Sequence, residues 1–388
     1  MIKTGLDVLL SARLDLIRGQ RLGVIANPSS VDSGLRHIVD LLYGHPGVNL
    51  HVIMGPQHGA RGETQDNMIE WLDYRDPVTG LPVYSLYGET RKPTPRMLEG
   101  LDAVIFDVQD VGARYYTFVY TMALAMEACG EQGVKFIALD RPNPINGLDV
   151  EGPVLDPEYR SFVGMFPLPL RHGMTVGELA RYFADECGVR CDLEVIPMAG
   201  WERGMFFEDT GLPWVMPSPN MPTIDTALVY PGQCLLEGTN ASEGRGTARP
   251  FEISGAPWLD PRLVVKRLEN EHLPGAIFRP LHYIPTFHKW AGRLIGGVQI
   301  HVTDPRRYLP VRTTLALIRA YREQCEGQFE WKTPPYEYEY EKLPFDILIG
   351  NGVVRGQIEN QTPVAEIEAG WREALDSFCS VRAKYLLY

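Results

Sequence analysis

The stretch Asp102-Ala-Val-Ile-Phe-Asp107, Val108-Gln-Asp-Val-Gly-Ala-Arg-Tyr-Tyr-Thr117, and on through Phe118 to Lys135-Phe-Ile-Ala-Leu-Asp140 decides the fold. Two short runs of β-branched and apolar residues, 102–107 and 135–140, read as strands. Between them, Thr117 to Cys129 is apolar nearly all round and reads as a buried helix. This is a βαβ unit feeding a parallel sheet. Upstream the pattern repeats, with strands expected over Arg21–Asn27 and Leu50–Gly55 and a helix over Leu35–Tyr43. Downstream, Thr175 caps a helix with Glu178 three places on, and Val176, Leu179, Ala180, Phe183 and Cys187 make its apolar face. Asp192–Met198 is the next strand. The class is α/β, with a Rossmann-like parallel-sheet domain at the N-terminus.

From Gly200 to Gly255 the chain turns rich in Gly, Pro, Asn and Trp, with a short helix expected between PSPNMPT (217–223) and EGTNASEGRGT (237–247). The domain boundary falls here, giving residues 1–235 and a smaller α/β domain, 236–388. The second domain is expected to hold strands near Gly297–Thr303 and Phe345–Ile349 and a helix over Arg312–Cys325. A final helix follows, capped by Thr362 with Pro363 in its first turn and Ile367, Trp371, Leu375 and Phe378 on one face.

A chain of 388 residues has room for two or three domains and needs no metal or disulfide to fold. With 37 basic and 49 acidic residues the net charge is −12, which opposes attraction to nucleic acid or an anionic membrane surface. No segment is long and apolar enough for a membrane span, and Met1-Ile-Lys-Thr lacks the features of a signal peptide, so a cytoplasmic location is expected. The six cysteines, at 129, 187, 191, 234, 325 and 379, match no zinc spacing and read as reduced structural thiols. No metal and no cofactor is expected. Neither GxGxxG nor GxxxxGK[ST] occurs, so NAD and ATP are not expected ligands; GxSxG is absent too, which disfavours a serine esterase.

Ligands of open α/β sheets bind beyond the carboxyl ends of the strands. Here the second strand runs into GPQHGARGETQDN (55–67), with Gln57, His58, Arg61 and Glu63. The third ends in FDVQDVGARYYT (106–117), with Asp107, Asp110, Arg114 and Tyr116. The fourth ends in Asp140-Arg141-Pro142-Asn143. Taken singly, Asp107 and Asp140 are equally read as loop or helix caps, His58 as a structural hydrogen-bonding residue, and the arginines as ion-pair partners. Their concentration at one sheet edge is what points to a site. A second cluster, EGTNASEGRGT, sets Glu237, Asn240, Glu243 and Arg245 among glycines that let backbone approach a ligand closely.

GPQHGARG, FDVQDVGARYYT, ALDRPNPINGLDVEGP (138–153), PSPNMPT and EGTNASEGRGT, in this order, resemble the NamZ family of bacterial exo-β-N-acetylmuramidases, and TGLDVLL (4–10) is similar as well. The resemblance implies a Rossmann-like domain joined to a smaller α/β domain, a site in the cleft between them, and removal of terminal N-acetylmuramic acid from peptidoglycan fragments. The partner is then a small sugar or a peptidoglycan fragment. Many members carry Glu in a Pro-Glu-His-Gly motif, favoured as catalytic acid; this chain has Gln57, and an amide cannot protonate a leaving oxygen.

Glycoside cleavage normally needs two carboxyl groups, one protonated and one ionised. Glu63, Asp107 and Glu243 are the catalytic candidates, with Glu63 favoured as acid because it shares the loop of Gln57. Gln57, His58, Arg61, Asp110, Tyr116, Asp140, Asn143, Glu237, Asn240 and Arg245 are the substrate-binding candidates, Arg61 and Arg245 as readers of the lactyl carboxylate. The alternative is a sugar-binding protein, or a relative of altered chemistry, that kept the pocket and lost the acid.

Overall fold

The computed structural model describes every residue except 63, 65–68 and 326. Seven strands form the main sheet: β1 (Arg21–Ala26), β2 (Asn49–Gly55), β3 (Tyr74–Arg75), β4 (Pro82–Ser85), β5 (Ala103–Asp107), β6 (Lys135–Leu139) and β7 (Leu193–Ile196), in the order β3-β4-β2-β1-β5-β6-β7. All neighbours are parallel except the edge pair β3 and β4. The middles of the central strands β1, β5 and β6 are apolar because both faces are covered. Val104, Phe106, Phe136 and Ala138 face the helices Phe118–Gln132 and Val176–Glu186. Leu22, Val24, Ile105 and Ile137 point the other way, onto Gly5–Ala12 and Ile38–Tyr43. The expected capping box is present, with Thr175 accepting from the Glu178 amide and Glu178 accepting from that of Thr175 at 3.0 Å.

The second unit holds an antiparallel sheet, β8 (Ile253–Ala256), β9 (Ala276–Tyr283) and β10 (Ile295–Val302), in the order β8-β10-β9. The short helix Ile224–Gln233 packs closely on Pro310–Gln324. At the crossing, a Cβ on Gly232 would lie 1.9 Å from the Pro310 carbonyl oxygen, so only glycine fits.

Two expectations for this unit need correction. Phe345–Ile349 is not a strand but part of a helix, Pro344–Ile349. Pro344 occupies its first turn and Gly350, at φ +86°, accepts the left-handed cap, and a five-residue apolar run carries no periodicity that separates helix from strand. The final helix is two, Val364–Ala369 and Arg372–Arg382, with the break at Gly370 and with Pro363, not Thr362, at the N-cap position. Ile367, Trp371 and Phe378 are still buried, while Leu375 is only partly so.

Three ties join the units. Arg114, fully buried, donates to the carbonyls of Pro153 (3.0 Å) and Leu168 (2.9 Å) in the first and of Leu348 (2.7 Å) in the second. The last helix returns to the N-terminal unit, where Phe378 and Tyr385 meet Tyr182 edge-on. Finally, Tyr388 donates to Asp140 at 2.7 Å.

Candidate active site

The crevice between the carboxyl ends of β1 and β5, where the strand order reverses, is the usual ligand position in such a sheet. Here the protein's own side chains fill much of it. Asp107 is completely buried and takes both nitrogens of a fork from Arg141, at 2.6 and 2.8 Å. Asn27, Ser29 and Ser30 form a further network beside it, and Ser30 donates to the Asp107 carbonyl.

The pocket lies to one side, over the ends of β2 and β5. Gln57 and His58 reach it from the turn after β2. That turn demands left-handed backbone at His58 (φ +74°) and Gly59 (φ +88°). The Thr117 hydroxyl donates to the Gln57 amide oxygen at 2.9 Å, and the His58 ring lies 3.2 Å from the Thr64 carbonyl. Tyr115 and Tyr116 come from the loop after β5, Phe118 from the first turn of the helix that follows, and Ser218 and Asn220 from the proline-rich loop. Tyr230 and Phe251 complete an aromatic wall of edge-on rings, with centroids 5.7 Å apart for Tyr116–Tyr230 and 4.9 Å for Tyr230–Phe251.

The opposite wall is charged. Glu237 accepts from Arg245 at 2.6 Å and from the Tyr336 hydroxyl at 2.7 Å. Burial alone would raise the Glu237 carboxyl, but the Arg245 charge and the two hydrogen bonds outweigh it and hold the group below its ordinary range. Glu337 stands next to Tyr336, also on the pocket wall, and accepts from the buried Tyr87 hydroxyl at 3.1 Å. Behind this wall Glu243 is surrounded by basic side chains: Lys289 at 2.9 Å, the His288 ring at 3.2 Å and Arg245 at 3.4 Å. Burial pushes its carboxyl up, yet Lys289, His288 and Arg245 together keep it ionised far below the usual range.

The pocket therefore gathers Gln57, His58, Tyr116, Glu237 and Arg245 from the sequence-derived candidates. The remaining described ones are not on its lining and are held by other partners. Asp140 caps the helix Val176–Glu186, accepting from the Gly177 amide at 2.7 Å and from the hydroxyls of Thr175 and Tyr388. Asn143 bridges Met174 and Ile145, and Asp110 receives the Gly112 amide and faces His172 at 3.2 Å. Arg61 is engaged by Asp76 (2.6 Å) and Asp40 (2.8 Å), and Asn240 staples its loop to residues 328 and 330. Asp107 and Glu243 have no place on the pocket wall, because Arg141 and the Lys289 cluster hold them elsewhere. Arg245 does line the pocket, but its charge already answers two buried carboxylates, which leaves it unsuited to a third. Glu63 lies outside the described residues.

Sequence reasoning missed Tyr336 and Glu337, which sit in a run of alternating Tyr and Glu, residues 336–341. Among the described residues no group of three or more His, Cys, Asp or Glu side chains is placed to hold a metal ion, and no helix is long and apolar enough to cross a membrane. All six cysteines are free thiols.

Two family models together match most of the chain. Residues 22–225 match the N-terminal part of the exo-β-N-acetylmuramidase NamZ, and residues 228–388 match its C-terminal part. The peptidoglycan β-N-acetylmuramidase NamZ of Bacillus subtilis (strain 168) is 47% identical over 387 residues, covering 100% of this chain and 91% of that protein. Two crystal structures of DUF1343 family proteins from Bacteroides fragilis share the fold. One has a TM-score of 0.90 at 36% identity and the other 0.79 at 30%, each covering 100% of this chain and 99% of its own.

Proposed function

Because this chain belongs to the NamZ family of exo-β-N-acetylmuramidases, we propose that it is an exo-acting glycoside hydrolase that removes terminal N-acetylmuramic acid from peptidoglycan fragments. The observation that carries this reading is the pocket's two-sided construction. In it, the N-terminal unit, residues 1–235, supplies Gln57, His58, all of the aromatic wall but Phe251, and the neutral donors Ser218 and Asn220. The C-terminal unit, residues 236–388, supplies the acidic wall of Glu237 and Glu337. A compact pocket, unlike an open groove, admits a chain end, which is what exo action requires. The apolar ring edges suit a sugar face, while His58, Ser218 and Asn220 supply polar contacts for the N-acetyl and lactyl groups.

The alternative, a sugar-binding protein without turnover, rests on Gln57 alone. Two buried carboxyl groups on the facing wall favour the hydrolase. Incubation with a β-N-acetylmuraminide and with the corresponding glucosaminide separates the two. Release of free N-acetylmuramic acid supports the hydrolase, and saturable binding without release contradicts it.

A further inference from the structure

We propose that Glu337 is the proton donor of this pocket, delivering its carboxyl proton to the glycosidic oxygen as the sugar leaves. The proposal rests on the hydrolase reading above and names the residue that performs its acid step. Its first support is backbone geometry. Tyr336 and Glu339 exchange both backbone hydrogen bonds at 2.9 Å, closing a two-residue hairpin turn whose central residues are Glu337 (φ +44°) and Tyr338 (φ +69°). Positive φ at both central positions is the pattern normally filled by Asn-Gly or Gly-Gly, because a side chain there is strained. The turn thus holds a glutamate where a relaxed hairpin would place Asn or Gly. Such strain persists only where its surroundings enforce it, and it collects at functional sites.

The surroundings do enforce it. Tyr338 lies under the Arg91 guanidinium, 3.6 Å from ring centroid to carbon, and Tyr336 is pinned by its bond to Glu237. Glu337 is thereby turned inward, 5% exposed, onto the wall of the pocket that Gln57 and His58 also line. The titratable and charged groups about it are Tyr87, Arg91, Glu237, Arg245, Lys332, Tyr336 and Tyr338. Burial first, and then the negative charge of Glu237, push the Glu337 carboxyl up to about 7, against the Tyr87 hydrogen bond and the charges of Arg91 and Arg245. Two neighbouring carboxyls driven apart, one ionised and one protonated near neutrality, is the arrangement that general acid catalysis uses.

In the step itself the bond from C1 to the glycosidic oxygen breaks, its electron pair passing to that oxygen, which takes the Glu337 proton. A water oxygen then bonds to C1 and releases a proton to the Glu337 carboxylate, restoring it. Sugar and leaving alcohol together account for one water consumed. Glu237 is a positioning residue here: its charge keeps the proton on Glu337, and its hydrogen bond fixes Tyr336.

The test compares wild type, Glu337→Gln, Glu63→Gln and Tyr87→Phe in the full-length protein. The substrates are an N-acetylmuraminyl disaccharide, whose sugar leaving group is poor, and an activated aryl β-N-acetylmuraminide. Glu337→Gln is expected to lower kcat/KM on the disaccharide by about 10²- to 10⁴-fold, with a far smaller loss on the aryl substrate. Wild-type kcat/KM should fall as the pH rises through about 7, and this limb should vanish in Glu337→Gln. Tyr87→Phe removes a hydrogen bond that favours the ionised form, so it should move the limb to higher pH. Equal rates, or equal losses on both substrates, in Glu337→Gln would overturn the proposal, as would a leaving-group-selective loss in Glu63→Gln instead. Wild-type turnover with an unaffected Glu337→Gln ends this inference alone, whereas no turnover by wild type ends it together with the hydrolase reading.

Discussion

Replacing Arg245 by Met tests whether the acidic wall depends on one cation. Arg245 is 6% exposed and sits between Glu237 at 2.6 Å and Glu243 at 3.4 Å, with its guanidinium 4.9 Å from the Phe251 ring. After the substitution Glu243 still has Lys289 and His288, but Glu237 keeps only the Tyr336 hydroxyl. The loss therefore falls on Glu237, a buried charge stripped of its counter-ion, and such a break costs about 3–5 kcal/mol. At roughly 2–4 °C per kcal/mol for a unit of this size, Tm should drop by about 6–20 °C at neutral pH.

The pH dependence has a definite sign. In the wild type Arg245 outweighs burial and holds the Glu237 carboxyl low, so its contribution is present above the unfolded-state pKa and fades as pH falls through the folded one. Without Arg245, burial and the Glu243 charge raise Glu237 instead. The deficit should then be largest near pH 7 and shrink on acidification, as the carboxyl takes up a proton. Removing the charge as well, in Arg245→Met/Glu237→Gln, should recover much of the loss. Thermal melts of the three proteins between pH 5 and 8 read this out. A single mutant melting within about 2 °C of wild type, or a deficit that does not change with pH, would refute the reasoning.

Arg114→Met removes the donor to three buried carbonyls, one of them Leu348 across the junction between units. Each unsatisfied group costs about 1–3 kcal/mol, so a loss of at least about 3 kcal/mol is expected in urea unfolding, and a smaller one would mean that water or repacking replaces the tie. Gly232→Ala places a methyl 1.9 Å from the Pro310 oxygen, and forcing the helices Ile224–Gln233 and Pro310–Gln324 apart should cost at least about 1–3 kcal/mol. An unchanged midpoint would show that this crossing yields freely. Tyr388→Phe takes a donor from Asp140 and an acceptor from the Met198 amide, both at 2.7 Å, for an expected loss of about 1–3 kcal/mol in the same assay. A wild-type midpoint would show that the hydroxyl is not needed there.

The buried parallel strands were legible because a strand covered on both faces must be apolar away from its ends, as β1, β5 and β6 are. The edge strand β3 and its neighbour β4, short and only partly buried, carry no such signal. Within the site, Gln57, His58 and Tyr116 were legible as residues following strand ends, and Glu237 and Arg245 as charges among glycines. The same rule also picks out Asp107, Asp140 and Asn143, which are not on the pocket lining. Polar residues at strand ends also satisfy buried amides and guanidinium groups, and sequence does not distinguish an acid facing Arg141 from one facing a ligand. Glu337 was illegible for the opposite reason. Neither Gly nor Asn marks its turn, so the Tyr-Glu alternation gives no hint that the backbone reverses there and carries the acid inward.

The most direct test of the account is to give the protein a defined peptidoglycan oligosaccharide with N-acetylmuramic acid at the non-reducing end and to identify the products by mass spectrometry over time. The account predicts that free N-acetylmuramic acid appears first, together with an oligosaccharide shortened by one sugar, and that no internal fragments form at early times. Release of N-acetylglucosamine first, cleavage within the chain, or binding with no product at all would contradict it.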